Sequence, residues 1–153
     1  MCHGSNEAGN PDFGTVAHRF CAQAVAGYSL TVYGGDSNWR PFIHVADVAR
    51  AYVRSAERLQ VQLAAGETGV DHYMIASDED VDVRTIAEAV QRIAGEVADL
   101  SPSVELVENP RSGEATVEQF SVDTAKTNEE LGWASTHTVE ETIRRQIIAN
   151  TDG

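Results

Sequence analysis

The stretch LTVYGGDSNWRPFIHVADVARA, residues 30–51, contains two short apolar segments and the beginning of a longer periodic one. Residues 30–33 and 42–45 are rich in β-branched and aromatic side chains, and the Gly, Asp, Ser and Asn residues between them are typical of a turn. The stretch therefore predicts two strands followed by a helix over about 46–59, since apolar side chains then recur at helical spacing. These side chains are Val48, Ala49, Tyr52, Val53 and Ala56.

Strand-like and helical segments alternate on both sides of this stretch. Upstream, we expect a loop over 1–12 and a helix over 13–26, which ends before Gly27. Downstream, we expect a loop at 60–70, a buried strand at 72–76, and a helix at 83–97 with Asp82 as N-cap. Strands are predicted at 104–107 and 118–122, and a short helix follows Asp123 and ends at Gly132. A capping box at Thr138 and Glu141 opens the last helix. The alternation predicts an α/β or α+β fold.

The chain is acidic: 24 Asp and Glu against 11 Lys and Arg give its 153 residues a formal net charge of −13. Such a chain repels nucleic acid and anionic membranes, so neither is expected as a partner. No run of 18 apolar residues and no signal peptide occur, so we expect no membrane span and a cytoplasmic location. The surplus of carboxylates and the single lysine, Lys126, also favour a surface adapted to molar salt.

The common catalytic signatures are absent from the sequence. No G-x-G-x-x-G, P-loop, G-x-S-x-G or Tyr-x-x-x-Lys pattern occurs. A zinc set of Cys2, His3, His18 and Cys21 is disfavoured, because adjacent ligands strain a tetrahedral site and the last two residues fit a helix, His18 at its rim and Cys21 in the core. We therefore predict no catalytic, cofactor-binding or metal-binding residue, and we interpret His44 as a structural histidine and Asp47 as a helix-start carboxylate.

Four segments carry a resemblance to a known family: residues 30–51, residues 72–76 with 82–83, residues 109–114, and residues 123–133 with 138–143. Their order and spacing resemble the extended short-chain dehydrogenase/reductases, the NAD-dependent nucleotide-sugar epimerases and dehydratases. The resemblance implies an α/β fold, the C-terminal substrate-binding part of a Rossmann-type protein without its N-terminal NAD-binding half. The resemblance further implies that residues 1–12 are a truncated start inside the family fold and that residues 13–150 form the nucleotide-sugar-binding region.

The resemblance also implies a substrate site. Arg40 and Arg111 stand where the family places arginines on the diphosphate, which a guanidinium can hold with two parallel hydrogen bonds. Tyr33 and Asn38 flank the turn expected near the base or ribose. The alternative for each arginine is a surface ion pair, and the alternative for Tyr33 is a place in the core. Pro41, Met74 and Ala76 depart from the family's Asp, Asn and Gly, which leaves the sugar undecided.

Two functions follow from this resemblance. The first is the C-terminal portion of an NAD-dependent epimerase or dehydratase, for example of the UDP-sugar 4-epimerase type. It binds the nucleotide sugar, weakly or not at all when alone, and NAD and the catalytic Tyr-x-x-x-Lys pair belong to the missing half. The alternative is a non-catalytic remnant that acts as a binding or dimerisation module. The expected partner is a Rossmann half or a second copy, because residues 72–76 and the first helix should form an exposed apolar patch on the isolated chain.

Overall fold

The computed structural model describes residues 2–3, 15–34, 39–108 and 122–152, with the backbone alone at residues 2–3, 39–41 and 80. Strands and helices alternate along these residues, which confirms the α/β class. In chain order they are β1 (Cys2–His3), α1 (Val16–Val25), β2 (Leu30–Tyr33), β3 (Trp39–Pro41), β4 (Ile43–His44), α2 (Val45–Ala64), β5 (Asp80–Asp82), α3 (Val83–Ala98), β6 (Val104–Val107), α4 (Ala125–Leu131) and α5 (Val139–Thr151).

The strands pair two by two. β1 lies parallel to β4, β2 lies parallel to β6, and β3 lies antiparallel to β5. The β2–β6 pair stays in register over four residues, from Leu30 opposite Val104 to Tyr33 opposite Val107. Both strands of this pair therefore end at the same edge.

The main hydrophobic core lies where α1, α3 and α5 pack against one another and against β2. Fully buried side chains of this core include Phe20, Leu30, Phe42, Ile86, Val90, Ile93, Ile143 and Ile147. Each contributes about 1.5–3 kcal/mol through the apolar surface it removes from water. A second cluster joins the first half of α2 to the α4 region and consists of Ile43, Ala51, Leu131 and Trp133.

Local signals in the sequence place several helix ends correctly. Asp82 caps α3 by accepting a hydrogen bond from the Thr85 backbone N–H at 2.6 Å. Thr138 and Glu141 form both halves of the capping box that opens α5. Gly132 ends α4 in a left-handed conformation with φ of 56°, which glycine adopts without the steric cost that a side chain imposes.

Three sequence predictions differ from the structure. Residues 72–76 form no strand, because this segment has no strand partner among the described residues, and Met74 is 57% exposed. The helix predicted over 46–59 continues to Ala64, since no helix breaker occurs before Gly66. Cys2–His3 forms β1 at the start of the expected 1–12 loop. The predicted strand at 118–122 lies, except for its last residue, outside the described residues.

Candidate functional site

The parallel pair β2–β6 creates the edge at which the expected substrate residues meet the described fold. The backbone N–H of Gly34 continues the ladder by donating to the carbonyl oxygen of Val107 at 3.0 Å. Beyond this point the chain continues into the segments that hold Asn38 and Arg111. In α/β proteins, ligands bind outside the carboxyl ends of parallel strands, so this edge is the candidate site.

Of the four expected substrate residues, Tyr33 is the one whose side chain is described at this edge, and this side chain is 46% exposed. Burial alternates along β2, with Leu30 and Val32 in the core and Tyr33 on the other face. The alternative that Tyr33 is a core aromatic is therefore wrong. An exposed phenol at the carboxyl edge of a strand has a free face on which a planar ring can stack.

The other three expected substrate residues are only partly placed. Arg40 lies in β3 with its backbone opposite Val81 of β5, directly before the start of α3. Asn38 and Arg111 lie outside the described residues. Their roles, and the direction of the Arg40 side chain, stay predictions.

Carboxylates already hold most of the other cations. Each of six cationic side chains forms an ion pair with an Asp or Glu: Arg50, Arg54, Arg84, Arg92, Arg144 and Lys126. An arginine held in this way is a poor phosphate ligand, since it must first give up its partner. These six cations are therefore poor candidates for phosphate ligands.

Asp47 is the centre of a buried polar cluster that the sequence did not reveal. Its side chain is fully buried in the first turn of α2. It accepts hydrogen bonds from the backbone N–H groups of Thr136 and His137, both at 3.1 Å, and from the Thr136 hydroxyl at 2.9 Å. The His137 ring and Arg50 also contact its Oδ1, at 3.1 and 2.8 Å. Asp47 thereby ties α2 to the segment before α5.

Hydrogen bonds decide the ionisation of this buried carboxyl. Burial alone would raise the pKa of Asp47, but the hydrogen bonds from His137 and Thr136 outweigh burial and hold that pKa well below its usual range. The backbone of the same residue also takes part, because its carbonyl oxygen accepts a hydrogen bond from the Trp133 indole at 2.9 Å. Sequence analysis placed Asp47 correctly at the helix start but missed its partners, which lie 86–90 residues away.

His44 is a structural histidine, as expected, and its role is specific. Its Nδ1 accepts a hydrogen bond from the Ala46 backbone N–H at 3.1 Å, which makes His44 the N-cap of α2. No sequence signal identified this cap, because Ser, Thr, Asp and Asn are the usual N-cap residues.

The zinc set considered for the N-terminal region stays untested, because the side chains of Cys2 and His3 lie outside the described part of the structure. No group of three or more His, Cys, Asp and Glu side chains there could hold a metal ion. His18 is buried in α1 rather than at its rim, and its Nδ1 lies 2.7 Å from the Thr15 hydroxyl. Cys21 is buried in the core, as expected.

We expect the Cys21 thiol to resist alkylation in the folded protein. Burial raises its pKa to about 12, and the thiolate is the reactive form. Iodoacetamide labelling of a Cys2→Ser variant should therefore be slow in buffer and fast in urea. Equal rates in the two conditions would show that Cys21 is accessible and would contradict the burial seen here.

The apolar patch predicted on the first helix is wrong, because α1 packs into the main core; one face of α2 is instead apolar and uncovered. We call it the α2 stripe: Val45, Ala49, Tyr52, Val53, Ala56, Leu59 and Leu63, which share one side of the helix at 100° per residue. All seven are exposed, Tyr52 by 74%. Only Asp47 and Ala51 of this 20-residue helix are buried, on another side of it. An apolar stripe of this length is typical of an interaction surface.

Two of the described helices, α2 and α3, begin directly after a strand. A Rossmann-type pyrophosphate binds at a helix N-terminus that follows a strand, where backbone N–H groups and the helix dipole attract its charge. At the two such junctions described, β4–α2 and β5–α3, the carboxylates of Asp47 and Asp82 lie in the first turn or at the N-cap. These negative charges disfavour a pyrophosphate at both junctions.

Comparison with known proteins identifies the family. A family model described as GDP-mannose 4,6 dehydratase matches residues 3–146. The chain belongs to this family. The relatives that it matches are NAD-dependent nucleotide-sugar epimerases and dehydratases, as the sequence resemblance indicated. UDP-sulfoquinovose synthase of Sulfolobus acidocaldarius is 37% identical over 101 residues, which are 65% of this chain and 23% of that protein.

Solved structures share the fold. UDP-glucose 4-epimerase of Thermotoga maritima, solved with UDP-glucose, matches with a TM-score of 0.68 and 21% identity over 96% of this chain and 42% of that one. UDP-glucose 4-epimerase of Bifidobacterium longum, solved with NAD+ and UDP, matches with a TM-score of 0.69 and 20% identity over 91% of this chain and 40% of that one. The chain thus spans less than half the length of these relatives. Among the described residues, no helix is long and apolar enough to cross a membrane.

Proposed function

We propose that this chain is the substrate-binding portion of an NAD-dependent nucleotide-sugar epimerase or dehydratase, of the UDP-sugar 4-epimerase type. The observation that carries the proposal is the family match over residues 3–146, together with a carboxyl edge at which β2 and β6 end side by side. In this proposal the edge holds the nucleotide, and the chain's contribution is to bind and orient the sugar.

Four residues carry the substrate in this proposal. The exposed ring of Tyr33 supports the base or ribose, and Asn38 follows in the next turn. Arg40 and Arg111 neutralise the diphosphate, which the net charge of −13 would otherwise repel. The sequence lacks the Tyr-x-x-x-Lys pair on which catalysis in the family depends, so the chain alone is expected to be inactive.

The NAD-binding half is assigned to a separate Rossmann portion, and the α2 stripe supports this. The relatives contain more than half of their length beyond the region that this chain matches. A Rossmann portion that packs on the α2 stripe would remove its seven apolar side chains from water. At about 25 cal/mol per Å² of buried apolar surface, such packing would stabilise both portions.

The α2 stripe also favours a second candidate, a non-catalytic module that dimerises. A stripe that pairs with its copy in a second chain needs no Rossmann portion. Intact mass spectrometry of the polypeptide isolated from its own cells distinguishes the two. A species about twice as long, with a further domain of roughly 150 residues, supports the enzyme. A species of 16.5 kDa that pairs only with itself supports the module.

We expect Arg111→Ala and Arg40→Ala each to weaken binding of UDP-glucose roughly 10- to 100-fold, because hydrogen bonds to charged groups are worth about 1.5–3 kcal/mol. Isothermal titration calorimetry of the native-length protein measures the change. Arg54→Ala is the matched control, since Arg54 lies on α2 and pairs with Glu57. Unchanged affinity in both variants, or an equal loss in the control, would contradict the assignment.

A further inference from the structure

Two histidine rings are stacked at the place where α2 begins. The rings of His44 and His137 lie 4.2 Å apart between centroids, with 12° between their planes. Asp47 lies beside them and contacts the His137 ring through its Oδ1. His18 of α1 is a buried electrostatic neighbour of His44. We call these four residues the histidine joint, since it connects α1, α2 and the segment before α5.

His44 performs its role only in the neutral form. Its Nδ1 accepts the Ala46 backbone N–H, so the ring proton must reside on Nε2. Protonation of the ring places a hydrogen on Nδ1, and the acceptor becomes a donor that points at another donor. The same charge lies at the positive end of the α2 dipole, which opposes it.

The groups around His44 make its positive charge costly. His137 stacks on it from the segment before α5, and Arg145 acts on it from α5; the charge of His44 in turn acts on His18 of α1. His3 of β1 lies opposite it in the strand register. Asp47 attracts the charge from α2, but its oxygens already accept from Thr136 and His137 and pair with Arg50.

We propose that the histidine joint is an acid-sensitive catch, in which protonation of His44 releases the first turn of α2 from the segment before α5. Loss of the N-cap frees the Ala46 N–H of the first turn of α2, and the new charge on the His44 ring alters its stacking contact with His137 in the segment before α5. The Trp133 indole, which donates to the Asp47 carbonyl oxygen in the same turn, is the reporter of this release.

The direction of the pH dependence follows from the electrostatics. Burial and the neighbouring His137 lower the pKa of His44 below its ordinary value of 6.5, and burial and His44 lower the pKa of His18. The unfolded chain then binds more protons than the folded one, so stability is complete above pH 6.5 and is lost as the pH falls through this value toward the lowered one. Asp47 stays ionised throughout this range.

His44→Asn tests the catch, because asparagine is a good N-cap and does not titrate. We expect the unfolding constant of the wild-type chain to rise more than that of H44N between pH 7.5 and 5.0, since only the wild type takes up a proton at this position when it unfolds in acid. The unfolding constant is measured by urea unfolding at constant ionic strength, with Trp133 fluorescence as the signal in a Trp39→Phe background. His72→Asn, at an exposed loop histidine, is the matched control and should retain the wild-type pH dependence.

Two results would overturn the proposal. The first is an equal pH dependence of stability in H44N and wild type. The second does not depend on any variant: an NMR titration of the wild-type histidine Cε1–H signals in which His44 takes up its proton at or above pH 6.5.

Discussion

Replacing Asp47 with alanine is expected to lower the free energy of unfolding by about 3–5 kcal/mol, which is a large part of a typical domain's stability. The change removes a fully buried carboxylate and leaves the N–H groups of Thr136 and His137 without their acceptor. It also leaves Arg50 without its carboxylate, although the guanidinium still donates to the Thr136 hydroxyl and the Ala134 carbonyl oxygen. α2 then loses its main polar attachment to the segment before α5.

Urea unfolding of the wild type and Asp47→Ala at pH 7 measures this loss. Glu57→Ala is the matched control, because Glu57 and Arg54 form an ion pair on the same helix, at the same spacing of three residues, but in solvent. We expect the control to cost less than about 1 kcal/mol. Asp47→Asn keeps one acceptor oxygen and loses the charge, so its loss of unfolding free energy should lie between those of Asp47→Ala and Glu57→Ala. Comparable losses in Asp47→Ala and Glu57→Ala would show that the buried cluster is no stronger than a surface pair.

The second large effect concerns the α2 stripe. We expect the 153-residue chain alone to self-associate and to bind the apolar dye ANS, since soluble monomers rarely expose a contiguous apolar stripe. Replacing Tyr52 and Leu59 together by glutamine should remove most of the dye fluorescence and shift the chain toward the monomer. The helix itself should persist, because both positions are exposed and glutamine is a good helix former.

Val61→Gln is the control for the stripe. Val61 is 62% exposed on the same helix but lies on a different side, so its replacement should leave dye binding nearly unchanged. Sedimentation and ANS titration together measure the outcome. A monodisperse wild-type chain without dye binding would contradict the interpretation of the stripe as an interaction surface. If the Rossmann portion is present and covers the stripe, even the wild-type protein should bind little ANS there.

Local chemistry explains what the sequence predicted well. A capping box such as Thr138 with Glu141, or a glycine after a helix such as Gly132, acts within one helical turn, so the signal and its effect are close in the chain. The same holds for the strand predicted at residues 30–33, although the structure was needed to show that Tyr33 lies on its exposed face. The family match confirmed the resemblance, which rested on motifs spread over the chain.

Long-range chemistry explains what the sequence did not predict. The partners of Asp47 lie beyond α4, and no spacing rule connects residues so far apart. A run such as residues 72–76 is apolar enough for a buried strand, but a strand also needs a neighbour to accept its backbone hydrogen bonds. Of the candidate substrate residues, Tyr33 has a described side chain and Arg40 a described backbone, while Asn38 and Arg111 stay predictions.

The β2–β6 pairing has a consequence for the order in which the molecule folds. Leu30 pairs with Val104, so α2, β5 and α3 all lie between two strands that must meet. Closing so long a loop lowers the chain entropy before the contacts that offset this loss have formed. Such parallel pairings therefore form more slowly than helices. The edge on which the proposed substrate site depends is thus among the last parts to assemble. If this edge binds a nucleotide sugar as proposed, a nascent chain would bind it only at the end of folding.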